Sequence, residues 1–134
     1  MAEGVQFELV SPERLVLSAE VDMVVVPGAE GDFGVLPGHA PLISAVRSGV
    51  ISIYNDRVIE ARIFVAGGFA EVSDSRLTVL TEDAVALDEI DRAGADARLA
   101  EAREAVADAG DGRARAEAEK QLSIAEALVA AVAQ

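Results

Sequence analysis

The sequence VIEARIFVAGGFAEVSDSRLTVL, residues 58–80, has the two-residue repeat of a β-strand. Apolar side chains occupy every second position from Ile59 to Val65, and Glu60 and Arg62 lie between them. Successive side chains of a strand point to opposite faces, so this pattern predicts one buried face and one solvated face. The pairs Gly67-Gly68 and Asp74-Ser75 are turn signals, and they separate two further predicted strands at residues 69–72 and 76–80.

The same kind of segment recurs on the N-terminal side. Residues 5–10, 14–18, 21–26 and 50–54 are rich in valine, isoleucine and leucine and are separated by Pro-, Gly- and Asn-Asp-containing turns. Seven or more short strands leave no room for crossover helices. We therefore predict an all-β, antiparallel sandwich or flattened barrel as an N-terminal domain over residues 1–84.

The C-terminal part has a different composition. Residues 84–134 contain 18 alanines, against 8 in the first 83 residues, and every aromatic residue and every proline lies before residue 70. Helices are predicted over residues 87–108 and 113–132, with Gly110-Asp111-Gly112 between them. An apolar stripe on the second helix is predicted from Leu122, Ala125, Val129 and Val132. The expectation is an antiparallel helical hairpin over residues 85–134, which makes the chain a two-domain α+β protein.

The charge balance argues against several functions. The chain has 134 residues, 24 acidic and 11 basic side chains, a formal net charge of −13 and no cysteine. Nucleic-acid binding requires clustered lysine and arginine, so no nucleic-acid partner is expected. The missing cysteines exclude zinc fingers, iron–sulfur clusters and thiol catalysis. No apolar segment approaches the roughly 20 residues that span a bilayer.

The segment between the third predicted strand and residue 43 is rich in turn-forming residues. It holds four glycines and three prolines within residues 27–41. It is not a phosphate-binding loop, because no Lys-Ser or Lys-Thr follows the glycines and Glu30 and Asp32 would repel phosphate. Tight turns between strands and a protein-contact loop both fit this composition. The single histidine, His39, has no evident nucleophile beside it, so neither a catalytic residue nor a metal site is predicted here.

Two segments of the chain together carry a resemblance to a known protein family. Residues 27–49, PGAEGDFGVLPGHAPLISAVRSG, and residues 63–80, IFVAGGFAEVSDSRLTVL, precede an acidic, alanine-rich helical tail. In order and spacing the chain resembles the epsilon subunit of F-type ATP synthases along essentially its whole length. The resemblance implies a β-sandwich that binds the gamma subunit and the ring of c subunits, followed by a two-helix hairpin.

The resemblance also implies a role without catalysis. The protein would be a non-catalytic part of the central stalk, or rotor, and would couple proton-driven rotation of the c ring to ATP synthesis in the alpha/beta catalytic head. It would need no cofactor, and it would lie on the cytoplasmic face of a bacterial inner membrane, associating with the membrane only through the complex. By resemblance, the residues at the c-ring and gamma interface would be Glu30, Gly31, Asp32, Phe33, Gly34 and His39.

The hairpin departs from the family pattern where regulation is concerned. Some relatives bind ATP through Ile or Leu, Asp, two variable residues, Arg and Ala. Here Ile90, Asp91 and Ala95 match this motif, but Gly94 replaces the arginine, and a reading from Leu87 puts Asp91 there instead. Weak or absent ATP binding is therefore expected.

Strong inhibition of ATP hydrolysis by the hairpin is not expected either. Lys120 is the last basic residue, so the C-terminal end offers no cation to acidic segments of the catalytic head. Two alternatives to the family assignment remain open at this stage. They are an unrelated β-sandwich interaction module and a small hydrolase that uses Glu30 and Asp32 as paired acids.

Overall fold

The computed structural model describes residues 4–133. The chain divides between Ala86 and Leu87 into two compact units. The first unit is a β-sandwich and the second is a pair of helices, in agreement with the predicted fold class.

Eight strands form the first unit. In chain order they are β1 (Val5–Ser11), β2 (Arg14–Val21), β3 (Met23–Gly28), β4 (Gly31–Val35), β5 (Leu42–Asn55), β6 (Val58–Ser73), β7 (Arg76–Leu80) and β8 (Ala84–Ala86). They are hydrogen-bonded in the order β2-β1-β7-β6-β5-β3-β4, and β8 pairs with β6.

One strand pair contradicts the expectation of a purely antiparallel sheet. β1 and β7 run parallel, with Phe7 opposite Leu77 and Leu9 opposite Val79, while every other described pair is antiparallel. The sequence pattern records which side chains are buried, but it carries no information about which distant strand lies alongside. A pairing across about seventy residues is therefore not readable from local alternation.

The two layers share β5 and β6. The N-terminal half of β5 pairs with the C-terminal half of β6, which pairs in turn with β7; the other halves pair with β3 and β8. Within β6, Gly67 and Gly68 both have positive φ, so the backbone departs from extended geometry there. Alternate side chains of the folded sheet fill one core, and its fully buried members include Val5, Phe7, Leu9, Val24, Val26, Val35, Ile51, Val65, Leu77 and Val79.

Several strand predictions need correction in detail. The segments 58–65 and 69–72 are parts of one strand, because the Gly67-Gly68 pair bends β6 without ending it. Within the alternating stretch Ile63 and Val65 are buried, but Ile59 is 45% exposed because it lies beside the β5–β6 turn. β4 lies inside the segment that we interpreted as turns.

The second unit begins with a short 3-10 helix (Leu87–Glu89), followed by α1 (Arg92–Asp108) and α2 (Arg113–Val132). The two helices pack together as the predicted hairpin. Asp91 caps α1 by accepting a hydrogen bond from the backbone N–H of Gly94 at 2.7 Å. Gly112, with φ of 73°, precedes α2.

The buried stripe of α2 differs from the predicted one. Ala125 is buried as expected, but Leu122, Val129 and Val132 are only partly buried. The other buried positions of this helix are Ala118, Ile124, Leu128 and Ala131. Two overlapping apolar stripes exist at helical spacing, and burial favours the one that contains the i, i+4 pair Ile124 and Leu128.

Candidate interaction surface

The acidic loop of the sequence forms a tight turn between β3 and β4. Gly28 pairs with Gly31, which leaves Ala29 and Glu30 as the two residues of the turn. Glycine is required at position 28, because a Cβ there would lie 2.6 Å from the carbonyl oxygen of Gly31. The N–H of Ala29 donates to the carbonyl oxygen of Ala45 in β5 at 2.9 Å. We refer to residues 28–32 as the acidic turn.

Arg47 of β5 contacts both arms of the acidic turn. Its Nη1 donates to the carbonyl oxygen of Gly28 and its Nη2 donates to Oδ1 of Asp32, both at 2.6 Å. The side chains of Arg47 and Asp32 are about half exposed, at 47% and 59%. Glu30 is exposed at the tip and has no ion pair within residues 4–133.

The predicted interface residues do not all lie at this turn. Glu30, Gly31 and Asp32 do, while Phe33 and Gly34 continue along β4. His39 lies four residues beyond the other end of β4, in a loop where its Nδ1 is 2.7 Å from the carbonyl oxygen of Ala40. The nearby Gly38 N–H donates to Ser75 Oγ at 2.9 Å, which ties this loop to the β6–β7 turn.

A row of apolar side chains crosses the outer face of the sandwich beside the acidic turn. Residues that pair directly across strands have side chains on the same face. The pairs Leu15–Val10, Val10–Leu80, Leu80–Phe69 and Phe69–Ala45 therefore form one continuous line over five strands. We call these five residues the apolar row.

The apolar row is exposed to an extent that is unusual for bulky side chains. Leu15 is 55% exposed, Leu80 is 54% exposed and Phe69 is 60% exposed. Ile43, one pair further along β5 on the same face, is 73% exposed. Contiguous exposed apolar surface is characteristic of interaction sites. The acidic turn and the apolar row meet at Ala45, which accepts the hydrogen bond from Ala29.

The apolar row was not predicted from the sequence. One signal was available, because Phe69 and Leu80 fall at outward positions of strands whose inward positions are already filled by Ala70, Val72 and Val79. A bulky apolar residue on the solvated phase of an alternating strand is out of place unless something covers it.

The residues of the degenerate nucleotide motif lie at the start of α1. A depression of about 370 Å³ there is lined by Asp88, Glu89, Ile90, Asp91 and Gly94. Ala95 is buried, and its N–H donates to the carbonyl oxygen of Asp91. Three of the five lining residues carry carboxylates, so the depression repels phosphate.

Within the described residues, neither α1 nor α2 is long and apolar enough to cross a bilayer. A protein-family model described as the beta-sandwich domain of the ATP synthase delta/epsilon chain matches residues 4–87. The ATP synthase epsilon chain of Paramagnetospirillum magneticum is 53% identical over 133 residues, which are 99% of this chain and 100% of that protein. The ATP synthase epsilon chain of Rhodospirillum rubrum is 53% identical over 131 residues and covers 98% of both chains.

Solved structures show the same architecture. A chain of the Euglena gracilis mitochondrial ATP synthase, in a structure of its OSCP, F1 and c-ring, superposes with a TM-score of 0.78 and 28% identity. The match covers 98% of this chain and 82% of that one. A chain from the Tetrahymena thermophila ATP synthase central stalk and c-ring, 14% identical with a TM-score of 0.68 over 97% of both chains, shares the fold. Because the family model covers more than half of the chain and the relatives align along nearly all of it, this chain belongs to the ATP synthase epsilon-chain family.

Proposed function

We propose that this chain is a non-catalytic subunit of the central stalk, where it links the gamma subunit to the ring of c subunits. In that position it couples proton-driven rotation of the ring to ATP synthesis in the alpha/beta head. The observation that carries this proposal is the apolar row on the outer face of the sandwich, which continues directly into the acidic turn.

The apolar row is assigned to the gamma subunit. An obligate partner within a permanent complex covers apolar surface more extensively than a transient one. Each bulky side chain of the row stabilises the contact by about 1–2 kcal/mol when it is covered, at roughly 25 cal/mol per Å² of apolar surface. The row crosses five strands, which suits an elongated partner lying across the strand direction.

The acidic turn is assigned to the polar loops of the c ring. Glu30 stands at the tip of a turn whose backbone is held by neighbouring strands. A carboxylate on a rigid turn pairs with a basic group at smaller entropic cost than one on a mobile segment. Such a contact adds specificity and register to the apolar contact beside it.

The location follows from these partners. The chain has no helix capable of spanning a bilayer within residues 4–133, and its attachment to the membrane would come through the c ring. The cytoplasmic face of a bacterial inner membrane is the proposed site. The helical hairpin is the segment that would reach the alpha/beta head.

The test is recovery of partners by the full-length tagged chain from detergent-solubilised membranes. The wild-type chain should recover alpha, beta, gamma and c subunits together. A Phe69→Ser, Leu80→Ser double variant should recover at least about tenfold less gamma, because it removes two of the exposed contacts of the row.

Val58→Ser is the matched control. Val58 is 64% exposed, but it lies at the β5–β6 turn outside the apolar row, so its substitution should leave recovery unchanged. An equal loss of gamma with both variants would show that any added polar side chain on the surface weakens recovery. That result would contradict the assignment of the apolar row to the gamma subunit.

A further inference from the structure

Arg47 stands at an interruption of the hydrogen-bond ladder. The pairing of β5 with β3 is broken between Val25 and Gly28, and the pairing of β5 with β6 passes from Val46 directly to Ser48. Beyond this interruption, Gly28 pairs with Val46 and the N–H of Ala29 donates to the carbonyl oxygen of Ala45, so the base of the acidic turn is joined to β5 at these two points. The guanidinium group of Arg47 adds two further contacts to the turn.

The two contacts of Arg47 lie on opposite sides of the turn. One is made with the backbone of Gly28 at the end of β3, and the other with the side chain of Asp32 in β4. A planar guanidinium with two donors in a fixed fork can bridge the arms in a single orientation, which a lysine ammonium cannot reproduce. Arg47 therefore restrains the angle at which the turn leaves the sheet.

The same contact changes the charge that the turn presents. Asp32 is paired with Arg47 at 2.6 Å, whereas Glu30 has no ion pair within residues 4–133. The net charge of Arg47, Asp32 and Glu30 together is −1, and the unpaired part of it is on Glu30.

We propose that Arg47 is the positioning residue of the acidic turn, and that Glu30 rather than Asp32 is the carboxylate that pairs with a basic group of the partner. This inference rests on the proposed function for the identity of the partner, the c ring. The contacts of Arg47 with Gly28 and Asp32, which we call the Arg47 clamp, are a property of the isolated chain.

The first arm of the test measures hydrogen exchange of the isolated full-length chain by NMR. In Arg47→Met the amide of Ala29, which donates to the carbonyl oxygen of Ala45, should exchange at least about tenfold faster than in the wild type. The amide of Thr81, which donates to the carbonyl oxygen of Val10 at 2.9 Å, should be unchanged. An unchanged exchange rate at Ala29 would contradict the proposal that Arg47 holds the acidic turn in position.

The second arm measures binding of full-length variants to ATP synthase depleted of this subunit. Arg47→Met combined with Asp32→Asn keeps the net charge of the wild type, so it tests position without altering charge. This double variant and Glu30→Gln should each bind at least about fivefold more weakly, and Glu30→Gln should also have a smaller salt dependence. Arg47→Lys should lie between the double variant and the wild type.

Arg115→Met combined with Glu119→Gln is the matched control, since it removes an exposed ion pair of α2 at constant net charge. It should bind within about twofold of the wild type. Wild-type binding by the Arg47 double variant, or a larger loss with Asp32→Asn than with Glu30→Gln, would overturn the inference. Failure of the wild-type chain to bind would instead refute the proposed function, and the exchange measurement would still decide whether Arg47 is a clamp.

Discussion

At Gly68 the backbone of β6 lies close to the end of β7. Its φ is +132°, and a Cβ at this position would lie 1.8 Å from the carbonyl oxygen of Leu80. No side chain larger than hydrogen fits there without moving β7 away from β6. The close approach also places Phe69 beside Leu80, in the middle of the apolar row.

We expect Gly68→Ala to lower the free energy of unfolding by at least about 3 kcal/mol, because it combines a steric clash with an unfavourable φ. The midpoint of urea unfolding of the full chain measures this loss. Gly34→Ala is the matched control: its Cβ would meet only Met23 Sδ, at 3.6 Å, and the change should be below about 1 kcal/mol. Similar losses for both variants would contradict the explanation.

The sequence predicts the acidic turn only in part. It places Glu30 and Asp32 in one loop rich in glycine and proline, and the two carboxylates look equivalent there. They differ because Arg47, fifteen residues away from Asp32, reaches one of them and not the other. That difference depends on the register between β3 and β5, which local sequence does not determine.

Among the elements, strands with regular alternation were the predictable ones. In β1 the buried residues Val5, Phe7 and Leu9 alternate with polar neighbours, as a half-buried strand requires. β4 was missed because Gly-Asp-Phe-Gly-Val contains two glycines and an acid, and its place in the sheet comes from pairing with β3. Both helices were predictable from composition, and the spacing of Gly110 and Gly112 marked the break between them.

The start of α1 has a structural role that conflicts with nucleotide binding. Asp91 is occupied in capping the helix, and Gly94 supplies the capped N–H in place of a cationic side chain. We expect calorimetric titration of the full chain to show no saturable ATP binding below about 1 mM, because none of the described residues that line the depression carries a positive charge. A micromolar dissociation constant would contradict this expectation.

A companion variant makes the ATP titration sharper. Gly94→Arg restores the motif and should tighten ATP binding by about tenfold or more, as expected for a charge-assisted hydrogen bond. Ala93→Arg is the matched control. It adds the same charge at the neighbouring exposed position and should leave the affinity for ATP unchanged.

The two helices of the hairpin pack together largely through small side chains. The buried residues of α1 are Ala95 and Ala102, and alanine buries far less apolar area than leucine. Amides in the middle of α1 should therefore exchange at least about tenfold faster than those of β6, in native-state hydrogen exchange of the full chain. Equal protection in both elements would show that the hairpin opens only with global unfolding.

At the scale of the molecule, the proposed interaction surface is assembled from parts that are far apart in sequence. Leu15, Phe69 and Leu80 lie in three different strands, and only the strand order β2-β1-β7-β6-β5 brings them into line. The fold class and the family were predictable from local sequence patterns. The apolar row required the topology, including the parallel β1–β7 pair.

The hairpin should inhibit ATP hydrolysis only weakly, if at all. Lys120 is the last basic residue of the chain, so the final turns of α2 present no cation to an acidic partner surface. Removal of residues 88–134 should therefore change ATP hydrolysis by the assembled complex by less than about twofold. A large rise in hydrolysis, with the truncated chain still incorporated at normal stoichiometry, would show that the hairpin inhibits strongly.

The long strands β5 and β6 have a mechanical consequence. Each runs through both layers, so the layers are joined by continuous backbone as well as by packed side chains. Sliding one layer over the other would require a change in the backbone conformation of these two strands. Such a movement strains bond angles and does not merely exchange apolar contacts. The sandwich should therefore resist shear between its two layers. A force applied at the acidic turn should be transmitted to the apolar row with little deformation of the domain.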